Sequence, residues 1–147
     1  MPETGASGTD KHRWGRSIQT LLGMNKMFFH ILLASHLLFI LTASVAPSEK
    51  LGVDAMPGGF DKLVHFIMYG LLASITSLSL GAAEHNRPQR ILAGCFVLSI
   101  LYGVVMESIQ FFLPTRTFSW TDIMANTIGS ATGIILLNTI LRKSRQG

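Results

Sequence analysis

Residues 27–48 read MFFHILLASHLLFILTASVAPS and contain no Asp, Glu, Lys or Arg. A helix needs about 20 predominantly apolar residues to cross the hydrocarbon core of a bilayer. Because backbone amides find no water there, an uncharged run of this length predicts a transmembrane helix. A secretory signal peptide is not favoured, since a long polar segment precedes the run and its apolar core is longer than that of a signal. We expect the segment to be retained.

Three further runs also lack charged side chains: residues 63–83, 91–106 and 123–141. The run that begins at residue 91 reaches spanning length only if it continues through Glu107 to Leu113, just before Pro114. The sequence therefore predicts four transmembrane helices, at about 27–46, 65–83, 91–113 and 123–141.

The overall composition agrees with a membrane protein. Only 14% of the 147 residues are charged, 48% are hydrophobic and the mean hydropathy is +0.42, whereas soluble domains average about 25% charged residues. The net charge of +4 does not indicate nucleic-acid binding, because the basic residues occupy gaps between apolar runs instead of one face. The single cysteine, Cys95, excludes a disulfide framework or a zinc ribbon. We predict an all-α, polytopic four-helix bundle without a cofactor.

The basic residues also predict the orientation of the chain. Of the 12 Lys and Arg residues, nine lie in the two tails and the second loop, and three lie in the first and third loops. The positive-inside rule then makes both termini cytoplasmic. We interpret residues 1–26 as a disordered cytoplasmic tail, 27–141 as the transmembrane domain and 142–147 as a basic cytoplasmic tail.

Several polar residues fall at the outward-facing ends of adjacent helices and in the third loop. Antiparallel neighbours bring such ends to one level of the membrane, where each charged side chain needs a partner, water or a function. We predict a ligand-binding pocket there. Its candidate residues are Asp61, Lys62, His65, Tyr69, Glu107, Gln110, Arg116, Ser119, Asp122 and Asn126.

Alternative roles stay open for the most polar of these residues. Glu107 could form a structural ion pair with Arg116 or Lys62, be wetted at the interface, contact a ligand or transfer a proton. His65 could be a base, a metal ligand or an interfacial residue. Both are the candidates for a catalytic role. Arg116 is the best candidate for anion contact, because a guanidinium matches phosphate geometry. Its alternative roles are to anchor the helix end at the lipid headgroups or to pair with Glu107.

Two other kinds of site are not predicted. Imidazole and carboxylates suit Zn or Mn, but the sequence contains no HExxH or comparable ligand pair, so we predict no metal site. Ser119 lacks a G-x-S-x-G context, which argues against a serine nucleophile.

Helix packing also has sequence signals. Ala125, Gly129 and Gly133 recur every four residues and let another helix approach closely, within the bundle or from a partner protein. His36 lies near the middle of the first span and should bond another helix. His30, six residues away, does not share its face.

Two blocks of residues carry a resemblance to a known family. The first is D-K-x-x-H-F, from Asp61 to Phe66, followed by Tyr69. The second has the patterns Y-G, E-x-x-Q-x-F, P-x-R, S-x-x-D and A-N-x-x-G between residues 102 and 129. Over roughly residues 47–135 the chain resembles VanZ-like membrane proteins. It departs from them at Thr115, where Gly is frequent, and Thr117, where Ser is frequent.

The resemblance implies a small multi-pass protein of the bacterial cytoplasmic membrane, in a family named for a member associated with teicoplanin resistance. It does not supply a molecular activity. Our leading hypothesis is a pocket that binds the headgroup of an envelope lipid or a lipid-linked cell-wall precursor without cleaving it. The alternatives are a hydrolase or transferase acting on a lipid-linked phosphate, and a structural subunit that uses the stripe of small residues.

Overall fold

The computed structural model describes residues 26–47, 59–82 and 88–146. Within these ranges the chain forms four α-helices and no strand: α1 (Lys26–Val45), α2 (Phe60–Ser79), α3 (Pro88–Phe111) and α4 (Trp120–Gln146). Each helix is long and apolar enough to cross a membrane. The all-α fold with four candidate spans is therefore confirmed. The predicted tail 1–26 lies outside the described residues, apart from Lys26.

Each helix begins before the uncharged run that predicted it. α2 begins at Phe60 and not at residue 65, so Asp61 and Lys62 lie in its first turn. α4 begins at Trp120 and continues to Gln146, so most of the predicted basic tail belongs to this helix. The difference arises because charged residues mark where the chain leaves the hydrocarbon core of the membrane. The backbone hydrogen bonds of a helix continue through the membrane–water interface.

α2 and α4 pack backbone to backbone. A Cβ atom on Gly129 would collide with the carbonyl group of Phe66, and one on Gly133 with the carbonyl group of Gly70. A Cβ atom on Gly70 would lie 3.0 Å from the carbonyl oxygen of Gly129. The predicted close approach of a helix to this stripe is confirmed, and the helix that approaches is α2 of the same chain.

Two apolar clusters fill the interior, one towards each end of the bundle. Ile40, Tyr69, Leu72 and Met106 join α1, α2 and α3 near the end where α2 begins. Ala82, Leu92, Leu137 and Leu141 join α3 and α4 to the turn after α2 at the other end. The outer surface carries many exposed large apolar side chains, as expected of helices that face lipid.

Side-chain hydrogen bonds to backbone carbonyls connect the middle of the bundle. The His36 imidazole of α1 donates from Nε2 to the Met68 carbonyl of α2 at 3.0 Å, as predicted. The Tyr102 hydroxyl of α3 donates to the Leu37 carbonyl at 2.9 Å. His30 instead bonds the Lys26 carbonyl within α1, so the two histidines share no site.

Candidate functional site

Four polar side chains meet where α2 and α4 begin and α3 ends. His65 comes from α2, Glu107 from α3, and Asp122 and Asn126 from the first two turns of α4. The exposed fraction is 0% for Glu107, 1% for Asn126 and 8% for Asp122. We call these four residues the polar cluster. Residues far apart in sequence therefore converge at one end of the bundle, in the interior.

The His65 ring is held on two sides. Its Nδ1 lies 3.0 Å from the amide oxygen Oδ1 of Asn126, so in this orientation of the amide the Nδ1–H donates the bond. The ring is nearly parallel to that of Tyr69, with centroids 6.4 Å apart. Its other nitrogen, Nε2, lies 3.9 Å from Oδ2 of Asp122, beyond hydrogen-bond distance. Nε2 thus faces the carboxylate without a hydrogen bond to it.

Glu107 contacts the start of α4. Its Oε2 accepts the backbone N–H of Ser119 at 3.1 Å, while its Oε1 is buried without a hydrogen-bond partner. Among the ion pairs of residues 26–47, 59–82 and 88–146 none includes Glu107, so neither Lys62 nor Arg116 pairs with it. The structural ion pair considered for this carboxyl group is absent from that part of the chain.

Ser119 and Asp122 form half of a capping box. The Ser119 hydroxyl oxygen accepts the N–H of Asp122 at 3.3 Å and so caps α4. In a full capping box the third residue of the helix would accept the N–H of the cap residue in return. Here Glu107 takes that bond, which leaves the carboxylate of Asp122 free to face His65 and Lys62.

Lys62 and Asp61 form the solvent-facing rim of the polar cluster. The Lys62 ammonium lies 2.8 Å from Oδ2 of Asp61 and 3.5 Å from Oδ1 of Asp122. The side chains of Lys62 and Asp61 are 42% and 36% exposed, against 11% for the side chain of Asp122. A ligand that approached from outside the bundle would meet this rim first.

Arg116 and Gln110 are both engaged with the end of α1. Arg116 donates from Nε to the Ala46 carbonyl at 3.1 Å, and from Nη2 to the carbonyls of Ala43 and Ala46 at 3.0 and 2.9 Å. Gln110 donates from Nε2 to the Ser44 carbonyl at 3.3 Å. The last carbonyls of a helix have no partner within it, so both side chains cap α1. The anion contact predicted for Arg116 competes with this role.

Gly103 contributes space to the site, a role that the sequence interpretation missed. A Cβ atom here would lie 3.1 Å from both Nδ2 of Asn126 and Cε1 of Tyr69. The glycine thus makes room for the amide and the phenol ring, and Tyr69 itself is a buried core residue. The pair Tyr102-Gly103 was the available signal, since a glycine inside a helix favours close approach.

Three side chains of the polar cluster could share a cation. One ligand atom from each of His65, Glu107 and Asp122 can be chosen so that all three lie within 4.8 Å of one another. No spacing signal in the sequence marks this set, because the three residues come from three different helices.

Comparison with known proteins places the chain in a family. A Schizosaccharomyces pombe protein, itself described only as uncharacterized, is 29% identical over 120 residues, which cover 80% of this chain and 72% of that protein. No match was found among solved structures. Residues 7–142 match the VanZ/LLP1 family, so the chain belongs to that family.

Proposed function

We propose that the protein binds the phosphate-bearing headgroup of an envelope lipid, or of a lipid-linked cell-wall precursor, at the polar cluster. It does so as a multi-pass protein of a bacterial cytoplasmic membrane with both termini in the cytoplasm. The observation that carries the proposal is the convergence of His65, Glu107, Asp122 and Asn126 in the interior, next to the more exposed rim.

The rim suggests which residue contacts the phosphate. Lys62 is the exposed cation next to the polar cluster, and a lysine ammonium binds phosphate as a point charge. Arg116 already donates three hydrogen bonds to carbonyls at the end of α1, so its effect on headgroup binding is indirect. Asn126 supplies amide groups behind the rim, and its Nδ2 is buried without a hydrogen-bond partner.

The test measures headgroup binding to the purified protein. Native mass spectrometry in detergent would compare phosphatidylglycerol and a polyprenyl phosphate with diacylglycerol, which lacks a headgroup phosphate. We expect Lys62→Ala and Asn126→Ala to weaken phosphate-lipid binding by about tenfold, the loss of about one charge-assisted hydrogen bond. Lys143→Ala, which removes an exposed cation at the opposite end of the bundle, is the matched control.

Unchanged affinity in both variants would place the headgroup site elsewhere. Arg116→Ala separates binding from folding, because a pure capping role predicts lower stability with unchanged lipid affinity per folded molecule. If the chain shares the teicoplanin resistance associated with the member for which the family is named, its expression in a susceptible host should raise the inhibitory concentration, and Lys62→Ala should reverse the rise.

A second candidate function is hydrolysis or group transfer on a lipid-linked phosphate. The observation that favours it is His65, whose Nδ1–H is held by Asn126 while Nε2 makes no hydrogen bond, as a general base requires. This function predicts turnover that His65→Gln abolishes. No product from a panel of lipid phosphates and glycolipids, tested with and without divalent metals, would exclude it.

A further inference from the structure

Two carboxyl groups and one imidazole meet inside the bundle, and within the described residues no ion pair joins Glu107 to a cation. Asp122 shares the single Lys62 ammonium with Asp61, and Glu107 receives only one backbone N–H. Isolated charges are costly in a low-dielectric interior unless a counter-charge or several hydrogen bonds compensate them. We propose that His65, Glu107 and Asp122 bind one divalent transition-metal ion, Zn²⁺ or Mn²⁺.

An unpartnered carboxylate oxygen supports a cation at this place. Oε1 of Glu107, a residue that is 0% exposed, is buried without a hydrogen-bond partner, whereas Oδ1 of Asp122 is paired with the Lys62 ammonium at 3.5 Å, which Asp61 shares. Most buried polar atoms in proteins have a partner, so this oxygen of Glu107 needs an explanation. A divalent ion would accept lone pairs from these carboxylates and neutralise both charges.

The orientation of His65 is that of a metal ligand. A ligating histidine almost always donates its second ring N–H to an oxygen, which fixes the tautomer and aims the other nitrogen at the metal. In this structure Asn126 accepts the Nδ1–H at 3.0 Å, and Nε2 points towards Asp122. Asn126 would therefore position the imidazole without binding the ion itself.

The distances require only small movements. Two ligands at the usual distance from Zn²⁺ lie about 3.3 Å apart in a tetrahedral site, while Nε2 of His65 and Oδ2 of Asp122 are 3.9 Å apart. The three ligand atoms fall within 4.8 Å of one another, so side-chain rotation brings them together. Lys62 can leave Asp122 because Asp61 already binds it at 2.8 Å. Water at the rim would complete the coordination.

The experiment uses the full chain, purified in detergent through a tag without histidines, with no added lipid. After a chelator has stripped the protein, it is equilibrated with Zn²⁺ or Mn²⁺ alone, and metal content and affinity are measured. We expect one ion per chain. Glu107→Gln, Asp122→Asn and His65→Gln should each lower the affinity by at least about tenfold, and Asn126→Ala by about ten- to 100-fold.

Two variants are controls. His30→Gln removes an exposed histidine on α1 that is outside the proposed site, so it should bind as the wild type does. Lys62→Met removes the competing cation and should bind at least as tightly. Equal losses in the control and ligand variants would show adventitious binding and overturn the proposal.

The absence of stoichiometric metal in the wild type, or equal affinity in wild type and Glu107→Gln, would also overturn it. Should the ligand variants fail to fold, X-ray absorption of the zinc-loaded wild type decides: a shell of one imidazole and two carboxylates supports the site, and any shell without imidazole refutes it. The assay contains no lipid, so its outcome and that of the headgroup test are independent.

Discussion

Single glycines determine how closely the helices of this bundle approach. Gly129 and Gly133 leave room for the backbone carbonyls of α2, and Gly103 leaves room for Asn126 and Tyr69. None of these three glycines has a positive φ. Among the described residues, the glycines with a positive φ are Gly59 and Gly81. These glycines therefore matter because they have no side chain. The backbone freedom that glycine supplies in a turn is not used at these positions.

Gly129→Ala tests that role. The new methyl group would collide with the Phe66 carbonyl group, so α2 and α4 must separate, and we expect a loss of about 1–3 kcal/mol of stability. Thermal unfolding in detergent measures the effect. Gly94→Ala is the matched control: its Cβ meets nothing within 4 Å and the residue is inside α3, so stability should stay equal or rise by about 0.5–1 kcal/mol.

Equal melting temperatures for these two variants would show that α2 and α4 are not in backbone contact.

At the scale of helices, polar side chains from α3 and the third loop terminate α1. The carbonyls of Ala43, Ser44 and Ala46 receive donors from Gln110 and Arg116. A cation at this end also interacts favourably with the partial negative charge of a helix C-terminus. The E-x-x-Q and P-x-R parts of the family pattern therefore have a structural function here.

Arg116→Ala should lower stability by about 1.5–3 kcal/mol, because it leaves carbonyls without charged donors. Arg116→Lys should recover only part of the loss, since an ammonium cannot reproduce the planar fork of donors. Hydrogen exchange provides a local readout: amides in the last turn of α1 should exchange faster in the alanine variant. Unchanged exchange there would contradict the capping role.

Ser119→Ala should cost about 1 kcal/mol through loss of the α4 cap. Ser119→Asp should restore most of that stability, because an aspartate also accepts the N–H of the third helical residue. Thr117→Ala is a control in the same loop, where Thr117 is exposed. Denaturant titration followed by helical circular dichroism would measure all three. Equal loss in Ser119→Asp and Ser119→Ala would refute the cap.

Sequence patterns predicted the helices, and the convergence of polar residues at one end of the bundle, better than they predicted the individual side-chain contacts. Uncharged runs identify spans, and antiparallel order brings Asp61, Glu107 and Asp122 to one end. The capping of α1 by Arg116 was not predictable, because backbone carbonyls have no residue signature in sequence. The helix cap at Ser119 could be predicted from the sequence, since the pattern S-x-x-D is typical of a helix start. The grouping of His65 with two carboxylates depends on helix rotation, which a weak apolar periodicity does not determine.

At the scale of the molecule, the distribution of basic residues predicts that both termini face the cytoplasm. A cysteine introduced at Thr117, in the exposed third loop, should react with an impermeant maleimide added to intact cells. A cysteine at Lys143 should react only after permeabilisation. Cys95 is the single native cysteine and is buried, so the unmodified chain is the blank. The reverse labelling pattern would invert the proposed orientation.

The attachment of α1 has a consequence for biosynthesis. Only 11% of its span is buried, the smallest share among the four spans, so the helix can enter the bilayer as soon as the ribosome has made it. Its terminal carbonyls then have no side-chain donors until Gln110, at the end of α3, and Arg116, in the third loop, have been translated. We therefore expect nascent chains truncated before residue 110 to insert α1 and leave its last turn frayed, with assembly completed only when the third loop has emerged.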